Sequence, residues 1–164
     1  MLNALKEKGL LLAVNSNKPQ ERTVNVVEKN FGKGTFDILV GQSDERARKP
    51  APDGVFYIME QLGLVREEVI YLGDTCVDMK TGKSAGVYTV GALWGFRDRQ
   101  ELEENHADAI IEHPMELFKY LYVLRAGPGK EADCFREKTK EALPWILLRL
   151  LEMKDFLNHR PFDP

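Results

Sequence analysis

Two aspartates, Asp74 and Asp78, stand four positions apart in the stretch YLGDTCVDMKTGKSAG, residues 71–86. Asp74 ends an apolar run and Asp78 falls one helical turn later, so both side chains can point into one crevice. Carboxylates that close repel each other unless something positive lies between them. Mg²⁺ meets that need, because it takes oxygen ligands, keeps several waters and bridges to phosphate. The same spacing has a purely structural reading, in which Asp74 caps a helix and Asp78 steadies its positively polarised first turn.

Other positions suit a phosphate. Ser16 closes an earlier apolar run, and its hydroxyl, with the N–H groups of Asn17 and Lys18 near a helix start, could hold phosphate oxygens. Lys49 sits in RKPAP, where Pro50 and Pro52 restrict the approach to the next helix. Turned inward it would neutralise a phosphate and a cluster of acids; turned outward it is a solvated loop residue. Arg46 and Arg48 read as surface charges.

The elements that must position these residues follow from hydrophobic periodicity. MLNALKEKG has the pattern of a helix end with Gly9 as its stop, and GLLLAVNS that of a strand buried on both faces. Pro19 can open the next helix, whose apolar stripe is Val24, Val27 and Phe31. FDILVG predicts a short strand, and DGVFYIMEQLG an amphipathic helix stopped by Gly63. VIYLG then predicts a strand, a helix runs from Val77 to Gly86, and VYTVG opens another strand. RQELEENHA reads as helix, DAIIE as edge strand and PMELFKYLYVL as closing helix. Trp94, in LWGFRD, is a lone aromatic after a strand and reads as packing. Strands alternating with helices predict a three-layer α/β domain with a mostly parallel sheet. Ligands bind outside the carboxyl ends of such strands, which gathers Asn15–Ser16, the QSDERARK loop and Asp74 on one edge.

After Leu124 the pattern changes: RAGPGKEAD reads as a linker, and CFREKTKEALPWILLRLLEMKDFLNHRPFDP as one or two helices, with Pro144 starting or kinking one. The division is thus a core over 1–124 and a linker with helical tail over 125–164. That tail packs on the domain or serves a partner, its apolar content being high for a free end.

The 164-residue length suits one substantial core, and 43% hydrophobic with 30% charged residues suits a soluble globular chain. A formal charge of −3 argues against a general nucleic-acid surface. No apolar stretch is long enough to cross a bilayer, and no secretion signal is visible, so the expectation is a cytoplasmic protein without a membrane partner. Cys76 and Cys134 read as reduced thiols. His106, His113 and His159 lack zinc spacing with them. GKG at 32–34 and GPG at 127–129 fall short of a dinucleotide fingerprint, and no GxxxxGK[ST] loop is present.

Taken in order, NSNKP, RKPAPD and GDTCVDMKTGKSAG resemble the haloacid dehalogenase-like hydrolases over roughly residues 1–124. VGALWGFRDRQELEENHADAIIEHPMEL is similar to the continuation found in their phosphoglycolate phosphatase branch. The resemblance implies that family's Rossmann-like fold, Mg²⁺ as cofactor and a small phosphorylated metabolite as substrate. It implies a candidate catalytic set of Ser16, Lys49 and Asp74, with Ser16, Asn17 and Lys49 on the phosphate and Asp74 and Asp78 at the metal.

The resemblance also marks a gap. Enzymes of this family form an aspartyl-phosphate from a DxDx[TV] motif near the N-terminus, whose first aspartate attacks and whose second acts as acid and base. No such motif occurs here: the first aspartate is Asp37, in FDILVG. The cap that normally follows the motif is missing as well. Its strand is central in the family, between those ending at Ser16 and Asp74. Without it those two strands must pair directly or leave backbone groups unpaired, so the sheet is expected to be incomplete. The apolar C-terminal segment is the candidate to cover those groups. The chain then reads as a fragment of a phosphatase, inactive alone. The alternatives are a non-catalytic phosphate- or metal-binding remnant, and one subunit of a split enzyme, as a homodimer or with a complementing N-terminal chain.

Overall fold

The computed structural model describes residues 1–121 and the backbone of 145–148. Five helices and six strands follow in chain order: α1 Leu2–Glu7, β1 Leu12–Pro19, α2 Gln20–Phe31, β2 Ile38–Gln42, α3 Asp53–Leu62, β3 Val69–Gly73, α4 Cys76–Ala85, β4 Tyr88–Ala92, α5 Arg99–Glu104, β5 Ala109–Ile111 and β6 Trp145–Leu148. Glycines with left-handed backbone end two of the helices, Gly63 after α3 (φ 67°) and Gly86 after α4 (φ 71°). Each donates its N–H back into the last turn, satisfying carbonyls that the helix leaves open. The stretch from Pro114 to Tyr120 is a 3₁₀ helix rather than the expected α-helix, and residues 122–124 of that segment lie outside the described residues.

The strands form one sheet in the order β2-β1-β6-β3-β4-β5, and every pairing is parallel. Parallel sheets need cover on both faces, which is why their strands read as nearly continuous apolar runs. Alternation along the strands divides the core accordingly. Leu12, Ile70, Leu72, Val90 and Ile111 pack with Leu5 of α1 and Leu117 on one face. Ala13, Val40, Val69 and Tyr71 pack with Val55, Ile58 and Met59 of α3 and Ala85 of α4 on the other. The result is the three-layer arrangement that the periodicity implies. Burying each large side chain of these clusters contributes about 1.5–3 kcal/mol. Trp94 is partly buried against the first cluster, as packing.

The centre of the sheet corrects one expectation. Trp145–Leu148 is a strand, not part of a helical tail. It lies between β1 and β3, with Leu12 opposite Ile146 and Val14 opposite Leu148 on one side. On the other side Val69 faces Trp145 and Leu72 faces Leu148. β1 and β3 therefore do not pair with each other, and the position between them that the resemblance leaves empty is taken by β6. The reason is tertiary: WILL is as compatible with a buried strand as with a helix, and two strands with backbone donors and acceptors facing an open slot favour the strand. The remainder of 125–164, including the linker and Cys134, lies outside the described residues. No described helix is long and apolar enough to cross a membrane.

A proline within β6 tests the central ladder. Leu147→Pro removes a backbone donor from a strand paired on both sides, and a buried acceptor left without a donor costs about 1–3 kcal/mol. Urea unfolding should show that loss, and hydrogen exchange should quicken at Leu12–Val14 and Ile70–Leu72. Unchanged protection at both segments would mean that β6 does not hold the centre.

Candidate functional site

The carboxyl ends of β1, β2 and β3, with the turns that follow them, build the site. β1 delivers Asn15, Ser16 and Asn17 in succession, with burial falling from Asn15 (buried) to Asn17 (exposed). The buried Asn15 amide lies against Gly54 of α3, where any side chain would collide with it, and its Nδ2 reaches the Tyr71 hydroxyl at 3.5 Å. Ser16 Oγ accepts the N–H of Lys18 at 3.1 Å, so that amide is spent on the turn rather than offered to a ligand. Asn17 clamps the backbone of Lys49 in both directions: its Oδ1 accepts the Lys49 N–H at 2.9 Å and its Nδ2 donates to the Lys49 carbonyl at 3.1 Å. Two loops distant in sequence are thereby fastened side by side.

That clamp turns the lysine inward. Lys49 Nζ donates to Asp78 Oδ1 at 2.9 Å, and both side chains are buried, 4% and 0% exposed. The other carboxylate oxygen, Oδ2, accepts from the Thr75 hydroxyl at 2.6 Å, the Thr75 N–H at 3.2 Å and the Asp74 N–H at 3.4 Å. Asp78 is therefore both the partner of the lysine and the reciprocal cap of α4, whose N-cap Thr75 accepts the Asp78 N–H in turn. Asp74 is fully buried, and its Oδ2 accepts the N–H of Phe96 at 3.0 Å. Gly73 and Gly95 permit this crowding, since a Cβ at the first would strike Asp78 and at the second Asp74.

A crevice of about 260 Å³, counted out into its open mouth, is lined by Ser16, Asn17 and Lys49 together with Arg46. Ser16, Asn17 and Lys49 are thus brought together, and Asp78 joins them through the lysine. Asp74 stays nearby in sequence to Asp78 but is not part of that lining. Arg46 departs from the sequence reading: its side chain is only 19% exposed, whereas Arg48 is exposed as expected. Asn15 and Arg46 went unsingled as site residues because nothing local distinguishes a strand-end asparagine or a loop arginine. The Tyr57 ring that covers Arg46, its guanidinium carbon 4.4 Å from the ring centre, comes from a different element. Asp37, the first acid in the sequence, is remote from all this. Its Oδ2 accepts the N–H of Leu12 at 2.7 Å, at the opposite end of β1 from Ser16.

The family profile of haloacid dehalogenase-like hydrolases matches residues 1–92, and the chain belongs to that family. Within it the similarity runs to the phosphoglycolate phosphatase branch. The phosphoglycolate phosphatase of Aquifex aeolicus is 37% identical over 120 residues, 73% of this chain and 55% of that one. The Escherichia coli K12 phosphoglycolate phosphatase is 28% identical over the same length, 73% of this chain and 48% of its own. A crystal structure of a predicted phosphoglycolate phosphatase from Haemophilus somnus superposes with a TM-score of 0.66 at 26% identity, covering 72% of this chain and 52% of the other. The chain spans about half the length of the curated relatives it matches.

The buried ion pair sets a stability test. Removing one member strands a buried charge, which costs about 3–5 kcal/mol, whereas replacing both with apolar groups can be nearly neutral. Asp78→Leu should therefore unfold at much lower urea than wild type, and Lys49→Met with Asp78→Leu should recover part of that loss. Equal midpoints for the single and double variants would show that the pair is not coupled.

Proposed function

We propose that the chain carries the phosphate-holding half of a phosphate-monoester hydrolase, whose ligand is a small phosphorylated metabolite of the phosphoglycolate kind. The observation that carries this reading is the inward, Asp78-anchored Lys49 beside Ser16 and Asn17 on the carboxyl edge of a parallel sheet. The family membership and the phosphoglycolate phosphatase relatives support it. We read the protein as cytoplasmic.

In this account the Ser16 hydroxyl donates to a phosphate oxygen. Lys49 supplies the balancing charge: an ammonium has three N–H donors, and fixing one on Asp78 sets the direction of the rest. Asn17 contributes by holding the Lys49 backbone in place. Mg²⁺ fits the donor set in a sparse way. Among the described residues no group of three or more His, Cys, Asp or Glu is gathered, so Mg²⁺ would have to rest on one or two carboxylates and complete its shell with water and phosphate. Asp74 is its candidate direct ligand, with Asp78 acting beside it through Lys49 and the Thr75 turn. Bound there, the ion would draw negative charge off the phosphate oxygens.

The described residues do not supply an attacking group. Asp37 sits at the wrong end of β1, and none of Trp145, Ile146, Leu147 and Leu148 is acidic. Ser16 is a weak nucleophile without a base, and no histidine lines the crevice. The chain should bind without turning over. A second reading, a split enzyme, draws on β6: the slot between β1 and β3 accepts a strand far removed from both in sequence, so a separate segment could also enter it.

Two measurements test these readings. Calorimetric titration should show weak Mg²⁺ binding that Asp74→Asn abolishes; identical binding by both proteins, or none by either, removes Asp74 from the metal. Phosphate release from phosphoglycolate with Mg²⁺ should be no faster for the chain than for Asp74→Asn. Asp74-dependent turnover by the chain alone would overturn the expected inactivity. Turnover that appears only with an added DxDx[TV] peptide would establish the split enzyme.

A further inference from the structure

Among the described residues Arg46 has only a poor counter-charge. Its side chain is 19% exposed, yet the carboxylate within ion-pair range is that of Glu45, at 3.9 Å and itself 86% exposed. Its Nε is buried and has no hydrogen-bond partner among the described residues. Largely buried cations are ordinarily paired, because desolvation penalises an unanswered charge. The guanidinium is also held in place: it stacks over the ring of Tyr57, its carbon 4.4 Å from the ring centre. It lines the same crevice as Ser16, Asn17 and Lys49. A second orphaned polar atom, the buried Ser43 Oγ, belongs to the same loop after β2.

We propose that Arg46 receives a second anionic group of the ligand, so that the site selects phosphorylated compounds bearing a carboxylate or a further phosphoryl group beside the one held by Ser16 and Lys49. The inference rests on the phosphate-holding reading above. Two cations of different kinds then divide the work. Lys49, tied to Asp78, meets the first phosphoryl group as a point charge. Arg46 offers a planar fork that matches a carboxylate or phosphoryl group through paired N–H donors. Tyr57 is a positioning residue, acting through the arginine. Because both cations line one crevice, the two anionic groups would belong to the same small ligand, and a neutral sugar phosphate would leave Arg46 unanswered.

Binding rather than turnover is the readout, using the full chain and isothermal titration. The probes are ethyl phosphate, phosphoglycolate and pyrophosphate, so that one, two and two anionic groups are compared. Wild type should bind phosphoglycolate or pyrophosphate at least about tenfold more tightly than ethyl phosphate, each good charge-assisted contact carrying an effect of that order. Arg46→Gln should reduce that ratio to near one, Arg46→Lys should leave it intermediate, and Tyr57→Leu should lower it. Circular dichroism melts check that each variant is folded. A ratio unchanged in Arg46→Gln, with ethyl phosphate still bound, overturns this inference and leaves the phosphate-holding reading standing. Failure of the wild type to bind any of the three probes overturns both.

Discussion

The contact between Lys49 and Asp78 is the constraint around which the rest of the site is arranged. A buried ion pair is tolerated only when the remaining polar atoms of both partners are satisfied, and here the surrounding structure does that. Thr75 and the Asp74 amide occupy the second oxygen of Asp78, while Asn17 fixes the backbone of the lysine. The pair therefore joins the turn after β3 to the loop before α3, and Asn17 adds the end of β1. Three strand ends become one rigid edge through a single pair of charges. Gly73 belongs to the same device, since the backbone of β3 must come close beneath the Asp78 side chain.

This arrangement fixes which groups line the crevice and which are held in the protein. A hydroxyl, an inward lysine and a stacked arginine share one crevice, the set on which the proposed anion site is built. Asp78, by contrast, is committed to holding the lysine, and Asp74 is buried against the amide of Phe96. Both carboxylates thus sit in contacts with the protein's own donors.

Much of this was legible in the sequence, for identifiable reasons. Apolar runs ending at Ser16 and Asp74 gave the strands away, and Gly63 and Gly86 marked helix ends because few other residues adopt left-handed backbone there. The lysine's direction was not legible: Lys49 turns inward through the Asn17 clamp, a contact between residues 32 positions apart. The burial of Arg46 is hidden for the same reason, its cover being the ring of Tyr57 on a helix beyond the loop. The strand nature of Trp145–Leu148 was hidden more deeply. A four-residue apolar run carries no decisive period, and only the slot between β1 and β3 makes it a strand.

That strand has a bearing on how the molecule comes to be assembled. β6 is last of the described strands in the chain and yet stands in the interior of the sheet. Among the described strands, β2-β1 and β3-β4-β5 meet only through β6, so until β6 pairs each half-sheet keeps an edge of unpaired amides. The loop that β6 finally closes is long, but length alone adds little, since each doubling costs only about 0.6 kcal/mol. Time is the larger burden, because pairings so distant in sequence form slowly. Until they form, the exposed edges can capture strands of neighbouring chains as readily as their own. Yield from a ribosome or a refolding vessel should then depend on crowding between nascent copies, with β6 acting as the keystone that ends the period of risk.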